Sequence, residues 1–157
     1  MKQKVVLFDI DYTLFNTDVF KETQLKKHSV YDEVYDVLKK LSKIARLAIF
    51  SEGETNFQKT KLHRTDIMKY FNEHDIHISK SKIDKLTPVI RKYSYGKLFL
   101  VDDKLSILFD AKRMLPKVFT IWMKRGMYAE NQKEIKGFKP DFEVKSLKEI
   151  VSIIHNS

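Results

Sequence analysis

The chain of 157 residues has no cysteine, only four glycines and only three prolines. Without cysteine it can form no disulfide, use no thiolate and build no cysteine-based zinc site, so a reducing compartment suits it. The scarcity of glycine and proline leaves little room for a flexible linker, and neither an internal repeat nor a low-complexity segment is present. We therefore expect a single domain that spans residues 1–157.

Long hydrophobic runs are also missing, and no apolar run approaches the roughly 18 residues that a membrane span needs. The sequence begins with lysines and a short apolar run, as a signal peptide would. Asp9 and Asp11 interrupt this run where the hydrophobic region of a signal peptide would continue. We expect a soluble, cytoplasmic protein without a membrane partner.

Positive charge is in excess, with 30 Lys and Arg against 21 Asp and Glu and a net charge of +9. An anionic partner such as a phosphorylated metabolite, a nucleotide or a nucleic acid is one interpretation. A lysine-rich solvated surface is the other, and it is favoured because the lysines are spread along the whole chain. No nucleic-acid-binding motif is recognisable, and the composition leaves both this partner and an oligomeric state open.

Five short apolar runs predict strands, at residues 5–8, 47–50, 76–78, 98–101 and 118–122. Most are apolar on both faces, as parallel strands between two layers of helices are. Helices are predicted at residues 31–44 and 103–114, and the capping box from Ser146 to Glu149 predicts a last one. This alternation indicates an α/β fold, a doubly wound Rossmann-like three-layer sandwich with a mainly parallel central sheet.

Acidic residues follow two of the predicted strands: Asp9 and Asp11 after the first, Asp102 and Asp103 after the fourth. In doubly wound folds the functional crevice lies beyond the carboxyl ends of the strands. Carboxylates that converge there repel one another and lose hydration unless a cation binds. An aspartate after a strand can also be a simple helix cap, which would explain Asp11 or Asp103 alone but not all four together. A hard dication, magnesium where phosphate also binds, fits this set.

Three motifs resemble those of the haloacid dehalogenase-like hydrolase superfamily, and they occur in that family's order. VVLFDIDYTLF (residues 5–15) resembles the first motif, LAIFSEG (residues 47–53) the second, and LFLVDDK (residues 98–104) the fourth. The resemblance covers nearly the whole chain. It implies a magnesium-dependent phosphatase in which Asp9 attacks phosphorus and becomes an aspartyl phosphate. Dehalogenases of the superfamily lack an acid at the position of Asp11, so carbon–halide cleavage is not expected.

The resemblance also implies further roles. Asp11 is the general acid and base, Ser51 donates a hydrogen bond to the phosphoryl group, and Thr13 orients the first loop. Magnesium is held by Asp9, the backbone carbonyl of Asp11, and Asp102 or Asp103, and these two last residues stay alternatives.

The lysine of the third motif is harder to place, because the usual Lys-Pro context is missing. Thr87 and Pro88 have the pattern of a helix cap and a first helical residue, which puts Lys85 just before the helix. We therefore expect Lys85 to be the motif lysine, with Lys82 as second choice and Lys80 as third.

Substrate choice in this superfamily usually depends on an inserted cap domain, and the sequence has no room for one. Residues 14–30 fit only a flap with a short helix at residues 17–27. Tyr12, at a position often filled by glycine or asparagine, is expected to narrow the mouth of the site. Trp122, Arg125 and Tyr128 are expected either to contact substrate or to pack.

An open site suits a small phosphorylated metabolite or nucleotide, which is the expected substrate. Two alternatives remain. One is a phosphatase that acts on nucleic-acid ends or on a phosphoprotein, and the other is a non-catalytic binding protein with the same fold.

Overall fold

The computed structural model describes residues 2–157 and contains one six-stranded sheet as its middle layer. The strands are β1 (Lys4–Phe8), β2 (Arg46–Glu52), β3 (Ile76–Ser79), β4 (Lys97–Asp102), β5 (Phe119–Met123) and β6 (Phe142–Val144). Their order is β3-β2-β1-β4-β5-β6, and every neighbouring pair is parallel. The predicted doubly wound α/β sandwich is confirmed.

Helices cover both faces of this sheet. Their bounds are α1 (Thr17–Glu22), α2 (Val34–Leu41), α3 (Thr55–Arg64), α4 (Lys82–Tyr93), α5 (Leu105–Met114), α6 (Gly126–Glu130) and α7 (Lys148–Asn156). Val6 and Phe8 of β1 belong to the core that includes the apolar faces of α2 and α7. Val5 and Leu7 belong to the core that includes those of α4 and α5. All four side chains are fully buried, which explains why β1 is apolar without alternation.

The topology also fixes where a site can form. The chain order reverses between β1 and β4, which lie side by side in the middle of the sheet. In open α/β sheets a crevice forms at such a reversal, beyond the carboxyl ends of the strands. Asp9 directly follows β1, and Asp102 ends β4. Among the described residues, no helix combines the length and the apolar character that crossing a membrane requires.

Three local predictions differ from the structure. Helix α4 begins at Lys82, so the predicted start at Thr87 and Pro88 is wrong and Pro88 lies inside the helix. Helix α1 ends at Glu22, earlier than the predicted residue 27, and Gln24 and Leu25 then adopt left-handed backbone conformations with φ of 55° and 64°. The sequence pattern also failed to predict β6 and α3, which are treated below.

Candidate active site

Asp9 lies at the centre of a buried cluster beyond the ends of β1 and β4. Its backbone N–H donates to the carbonyl of Val101 at 3.0 Å, which extends the pairing of the two strands by one residue. The Nζ atom of Lys82 lies 3.1 Å from Oδ1 of Asp9 and 2.5 Å from Oδ2 of Asp102. Lys82 is only 2% exposed, so it brings a buried positive charge between two buried carboxylates.

A third carboxylate completes the cluster. Asp9, Asp102 and Asp103 each present an oxygen, and these oxygens lie within 4.8 Å of one another. All three residues are buried. Three carboxylates against one ammonium leave a local excess of negative charge, which is unfavourable in a buried place.

The pKa values express this excess. Burial, together with the neighbouring Asp102, raises the pKa of Asp9, although Lys82 opposes the shift. Burial and the facing carboxylates of Asp9 and Asp102 raise the pKa of Asp103. Burial opposes the charge of Lys82, but Asp102 and Asp9 outweigh it and the lysine pKa is raised. An all-oxygen donor set with surplus negative charge fits a hard dication such as magnesium.

Asp11 lies next to this cluster and is held by three donors. Lys61 donates to its Oδ1 at 2.7 Å, Thr17 donates to the same oxygen at 3.1 Å, and Gln58 donates to its Oδ2 at 3.0 Å. The side chain of Asp11 is 30% exposed, whereas that of Lys61 is only 5% exposed. The Asp11 carboxylate is therefore fixed through both of its oxygens and is still partly accessible.

Ser51 is connected to Asp11 through one side chain. The same Nε2 of Gln58 that binds Asp11 also donates to Oγ of Ser51 at 2.8 Å. Ser51 ends up 1% exposed, near the carboxyl end of β2. Because its oxygen accepts this bond, its hydroxyl hydrogen stays available to donate.

The ammonium of Lys61 lies among aromatic rings. Its Nζ atom is 4.8 Å from the ring centroid of Phe57, 5.1 Å from that of Phe15 and 5.5 Å from that of Phe20. Contacts of this kind compensate a buried cation for part of its lost hydration. Lys61 and Gln58 are not among the predicted site residues, because the sequence pattern does not predict α3. The signal is their i, i+3 spacing on one helical face.

The structure places the three candidate lysines differently. Lys82 occupies the cluster, whereas Lys85 is exposed and lines a separate surface cavity with His77 and Pro88. Lys80 is exposed as well. The preference for Lys85 depends on a helix start that the structure does not have, and of the three lysines it is Lys82 that bonds to Asp9 and Asp102. Because α4 begins at Lys82, that residue and not Lys85 is the first on the buried face of the helix.

The residues after β5 divide between packing and the site. Trp122 is buried and donates from Nε1 to the carbonyl of Asp103 at 3.1 Å. Arg125 packs over the ring of Tyr31 at 3.6 Å and donates to the carbonyl of Thr13, which fixes the loop after β1. Tyr128 is 46% exposed and lines the cavity above the acidic cluster.

Comparison with known proteins supports the fold independently. No protein-family model matches the sequence, and no curated protein matches it either. Among solved structures, the chain is similar to a proposed haloacid dehalogenase-like hydrolase from Burkholderia xenovorans LB400, with 20% identity and a TM-score of 0.80. The similarity covers 99% of this chain and 98% of that one.

Two further structures have the same architecture. One is the proposed hydrolase YfnB from Bacillus subtilis, bound to magnesium, with 14% identity, a TM-score of 0.76 and coverage of 98% of this chain and 99% of that one. The other is a proposed phosphatase from Clostridium difficile, with 19% identity, a TM-score of 0.71 and coverage of 98% and 99%. Dehalogenases are also among the similar structures. These likenesses agree with the sequence motifs and establish the fold.

Proposed function

We propose that this chain, which has the fold of the haloacid dehalogenase-like hydrolases, is a phosphomonoesterase that works through an aspartyl phosphate on Asp9. The observation that carries the proposal is the second carboxylate, Asp11. It lines the same cavity as Asp9, Asp103 and Lys82, and it is held by three hydrogen-bond donors. A dehalogenase of this fold has no use for an acid at that position, whereas hydrolysis of a phosphate ester needs one.

Asp9 and Lys82 supply the nucleophile. The ammonium 3.1 Å from Oδ1 favours the ionised carboxylate, which is the form that can attack phosphorus. In the first step an oxygen of Asp9 bonds to phosphorus while the bond from phosphorus to the ester oxygen breaks. Lys82 and the hydroxyl of Ser51 offer donors to the phosphoryl oxygens in this proposal, and the bond that Ser51 accepts from Gln58 leaves its hydrogen available.

Asp11 moves the proton in both steps. It gives a proton to the departing ester oxygen, and the alcohol leaves. Asp11 then accepts a proton from the water that attacks phosphorus, which releases inorganic phosphate and restores Asp9. The three donors to its two oxygens keep the carboxylate in one orientation through this cycle.

The metal of the proposal is magnesium, held by Asp9, the backbone carbonyl of Asp11, and Asp102 or Asp103. The surplus of buried negative charge supports it, and a structurally similar hydrolase is bound to magnesium. When bound, magnesium would offset the charge of the phosphoryl oxygens.

Steady-state turnover of p-nitrophenyl phosphate tests the proposal. We expect hydrolysis with magnesium, none with a chelator, and inhibition by calcium, whose looser coordination disturbs the in-line geometry. Acid quenching during turnover should trap a phosphoenzyme that the Asp9→Asn variant does not form. Full activity in chelator would contradict the proposed requirement for magnesium. Absence of any turnover would favour the non-catalytic alternative.

A second measurement separates small substrates from phosphorylated nucleic-acid ends. Binding of 5′-phosphorylated oligonucleotides should be weak and should change little with salt if the substrate is small. Tight binding that falls steeply with salt concentration would favour the nucleic-acid alternative.

A further inference from the structure

The cavity above the acidic cluster has a polar floor and an apolar rim. Its volume is about 450 Å³, within the range of small-molecule sites. Asp9, Asp103 and Lys82 line it and are buried, so they form the floor. Leu25 and Phe57 line it and are 53% and 46% exposed, so they belong to the rim.

The rim side chains come from separate parts of the chain. Leu25 lies just beyond α1, Phe57 lies on α3, and Tyr128 lies on α6. Scattered exposed apolar residues are common on protein surfaces, but their convergence around one cavity is typical of a binding site. Behind the rim, the ring of Phe20 packs against that of Phe57 with centroids 6.0 Å apart.

Tyr12 adds another aromatic ring to those of Phe57 and Tyr128, and this ring is held in place against the cavity. The backbone of Tyr12 has φ of 61°, a left-handed conformation that residues with bulky side chains rarely adopt. Its ring packs on Gly126, where an added Cβ would lie only 2.3 Å from the ring carbon Cδ1. Its hydroxyl accepts a hydrogen bond of 2.9 Å from Nζ of Lys21. The left-handed backbone of Tyr12 and the lack of a side chain at Gly126 thus place the tyrosine ring at the wall of the cavity.

Among residues 2–157, the charges around the cavity leave Lys21 without a carboxylate partner. Of the four lysines that line it, three form ion pairs: Lys61 with Asp11, Lys82 with Asp9, and Lys104 with Glu52. Within residues 2–157, Lys21 has no carboxylate oxygen within 4.0 Å of its Nζ, which instead donates to Tyr12. Lys21 therefore keeps further hydrogens for a polar group at the rim.

We propose that the rim is a subsite for a planar ring on the leaving group, and that the substrate is a nucleoside monophosphate. This inference rests on the proposed phosphatase function. The phosphate lies at the polar floor, the ring lies against Tyr12, Phe57 and Tyr128, and Lys21 donates to an acceptor on the ring. Aromatic side chains stack on a nucleobase but offer much less to a bare sugar or a short aliphatic chain.

Adenosine 5′-monophosphate and ribose 5-phosphate test this inference, because the same primary oxygen leaves from both and only the base differs. Binding is measured by calorimetry with the Asp9→Asn protein and magnesium, so that it does not depend on turnover. We expect the nucleotide to bind ~10-fold more tightly. The same ratio should appear in kcat/KM of the unaltered protein. Equal affinity for the two ligands would overturn the inference.

A variant on α6 locates the subsite. Tyr128→Ala, combined with Asp9→Asn, should weaken nucleotide binding several-fold and leave ribose 5-phosphate binding unchanged. Tyr95→Ala is the matched control, because Tyr95 is 51% exposed and lies just before β4, at the amino ends of the strands and away from the cavity. Equal weakening of both ligands would overturn the inference.

The subsite and the proposed reaction fail in different ways. Selective nucleotide binding without hydrolysis of any ester would refute the reaction and keep the subsite. Magnesium-dependent hydrolysis without preference for the base would keep the reaction and refute the subsite.

Discussion

Two groups of buried charge lie at opposite ends of the strands, and they differ in how far their charges are balanced. At the amino ends, Asp75 receives hydrogen bonds of 2.8 Å from Nε and Nη2 of Arg46 and from the hydroxyl of Tyr93. At the carboxyl ends of the strands, the carboxylates of Asp9, Asp102 and Asp103 lie together, and within residues 2–157 one ammonium, that of Lys82, bonds to two of them, Asp9 and Asp102.

The pKa directions differ accordingly. Burial alone would raise the pKa of Asp75, but the hydrogen bonds from Arg46 and Tyr93 outweigh it and the pKa is lowered. The pKa values of Asp9 and Asp103 are raised, because their burial is not compensated to the same degree. A buried carboxylate with a donor on each oxygen stabilises the fold, whereas a group with surplus negative charge needs a ligand to be stable. Removal of a carboxylate charge should therefore have opposite consequences for stability at the two ends of the sheet: a loss at Asp75, but no loss at Asp9.

The largest expected effect is that of Asp9→Asn. Turnover should fall by ~10³-fold or more, because an amide cannot attack phosphorus. The melting temperature of the metal-free protein should stay the same or rise, since one repelling carboxylate is removed. Activity assays and thermal melts with and without magnesium would check both outcomes. A lowered melting temperature in metal-free buffer would show that the cluster is as balanced as the one around Asp75.

Lys82→Met should cost both activity and stability, because it removes the only ammonium bonded to the cluster within residues 2–157. We expect turnover to fall by ~10²-fold or more, and the free energy of unfolding to fall by about 3 kcal/mol. Lys85→Met is the matched control on the same helix and should change the free energy of unfolding by less than about 0.5 kcal/mol. Kinetics and urea unfolding of the two variants measure this difference. A larger loss with Lys85→Met would restore the original assignment.

Asp75→Asn should affect stability alone. We expect the free energy of unfolding to fall by about 2 kcal/mol at neutral pH, with kcat unchanged. Because the pKa of Asp75 is lowered in the folded protein, its stabilisation is present above the unfolded pKa of 3.8 and is lost as the pH falls through the folded value. Urea unfolding of both proteins between neutral and acidic pH should show the difference shrinking. Asp66→Asn, at an exposed ion pair with Lys69, is the control. A difference that grows in acid would contradict this assignment.

Of the changes expected to slow the reaction, Lys61→Met should slow it least, because Thr17 and Gln58 still hold Asp11. We expect ~10-fold slower phosphoenzyme formation from an alkyl phosphate, whose leaving oxygen needs a proton, and a smaller loss with p-nitrophenyl phosphate. Single-turnover kinetics with both substrates separate these effects. Lys59→Met on the same helix should leave both rates unchanged. An equal loss with both substrates would show that Lys61 does not act through proton transfer by Asp11.

Much of this arrangement was predictable from sequence. The apolar runs of β1, β2 and β4 are buried on both faces, so their ends and the acids that follow them could be located without a structure. The predicted strands overlap five of the six in the sheet. Strand β6 has only three residues, too few to give a periodic signal.

The sequence favours Lys85 over Lys82 only because Pro88 has the pattern of a helix start, whereas in the structure Pro88 lies inside α4. The better signal was the spacing of Lys82, Leu86, Val89 and Tyr93, which puts the lysine on the apolar face of α4. A lysine on such a face is unusual and indicates a buried partner. Gln58 and Lys61 were missed because α3 is mostly polar, and its burial depends on contacts with distant parts of the chain.

The contact between Tyr12 and Gly126 has a consequence for the evolution of this protein. No side chain fits at position 126 while a tyrosine ring lies against it, since even a methyl group would overlap that ring. The sizes of the side chains at positions 12 and 126 are therefore coupled, because both compete for the same space. Among descendants or in a randomised library, a larger residue at 126 therefore needs a small one at 12, and it must also tolerate the left-handed backbone at 126, where φ is 78°. Such a paired change would alter the shape of the cavity wall with two mutations and leave Asp9 and Asp103 at its floor unchanged.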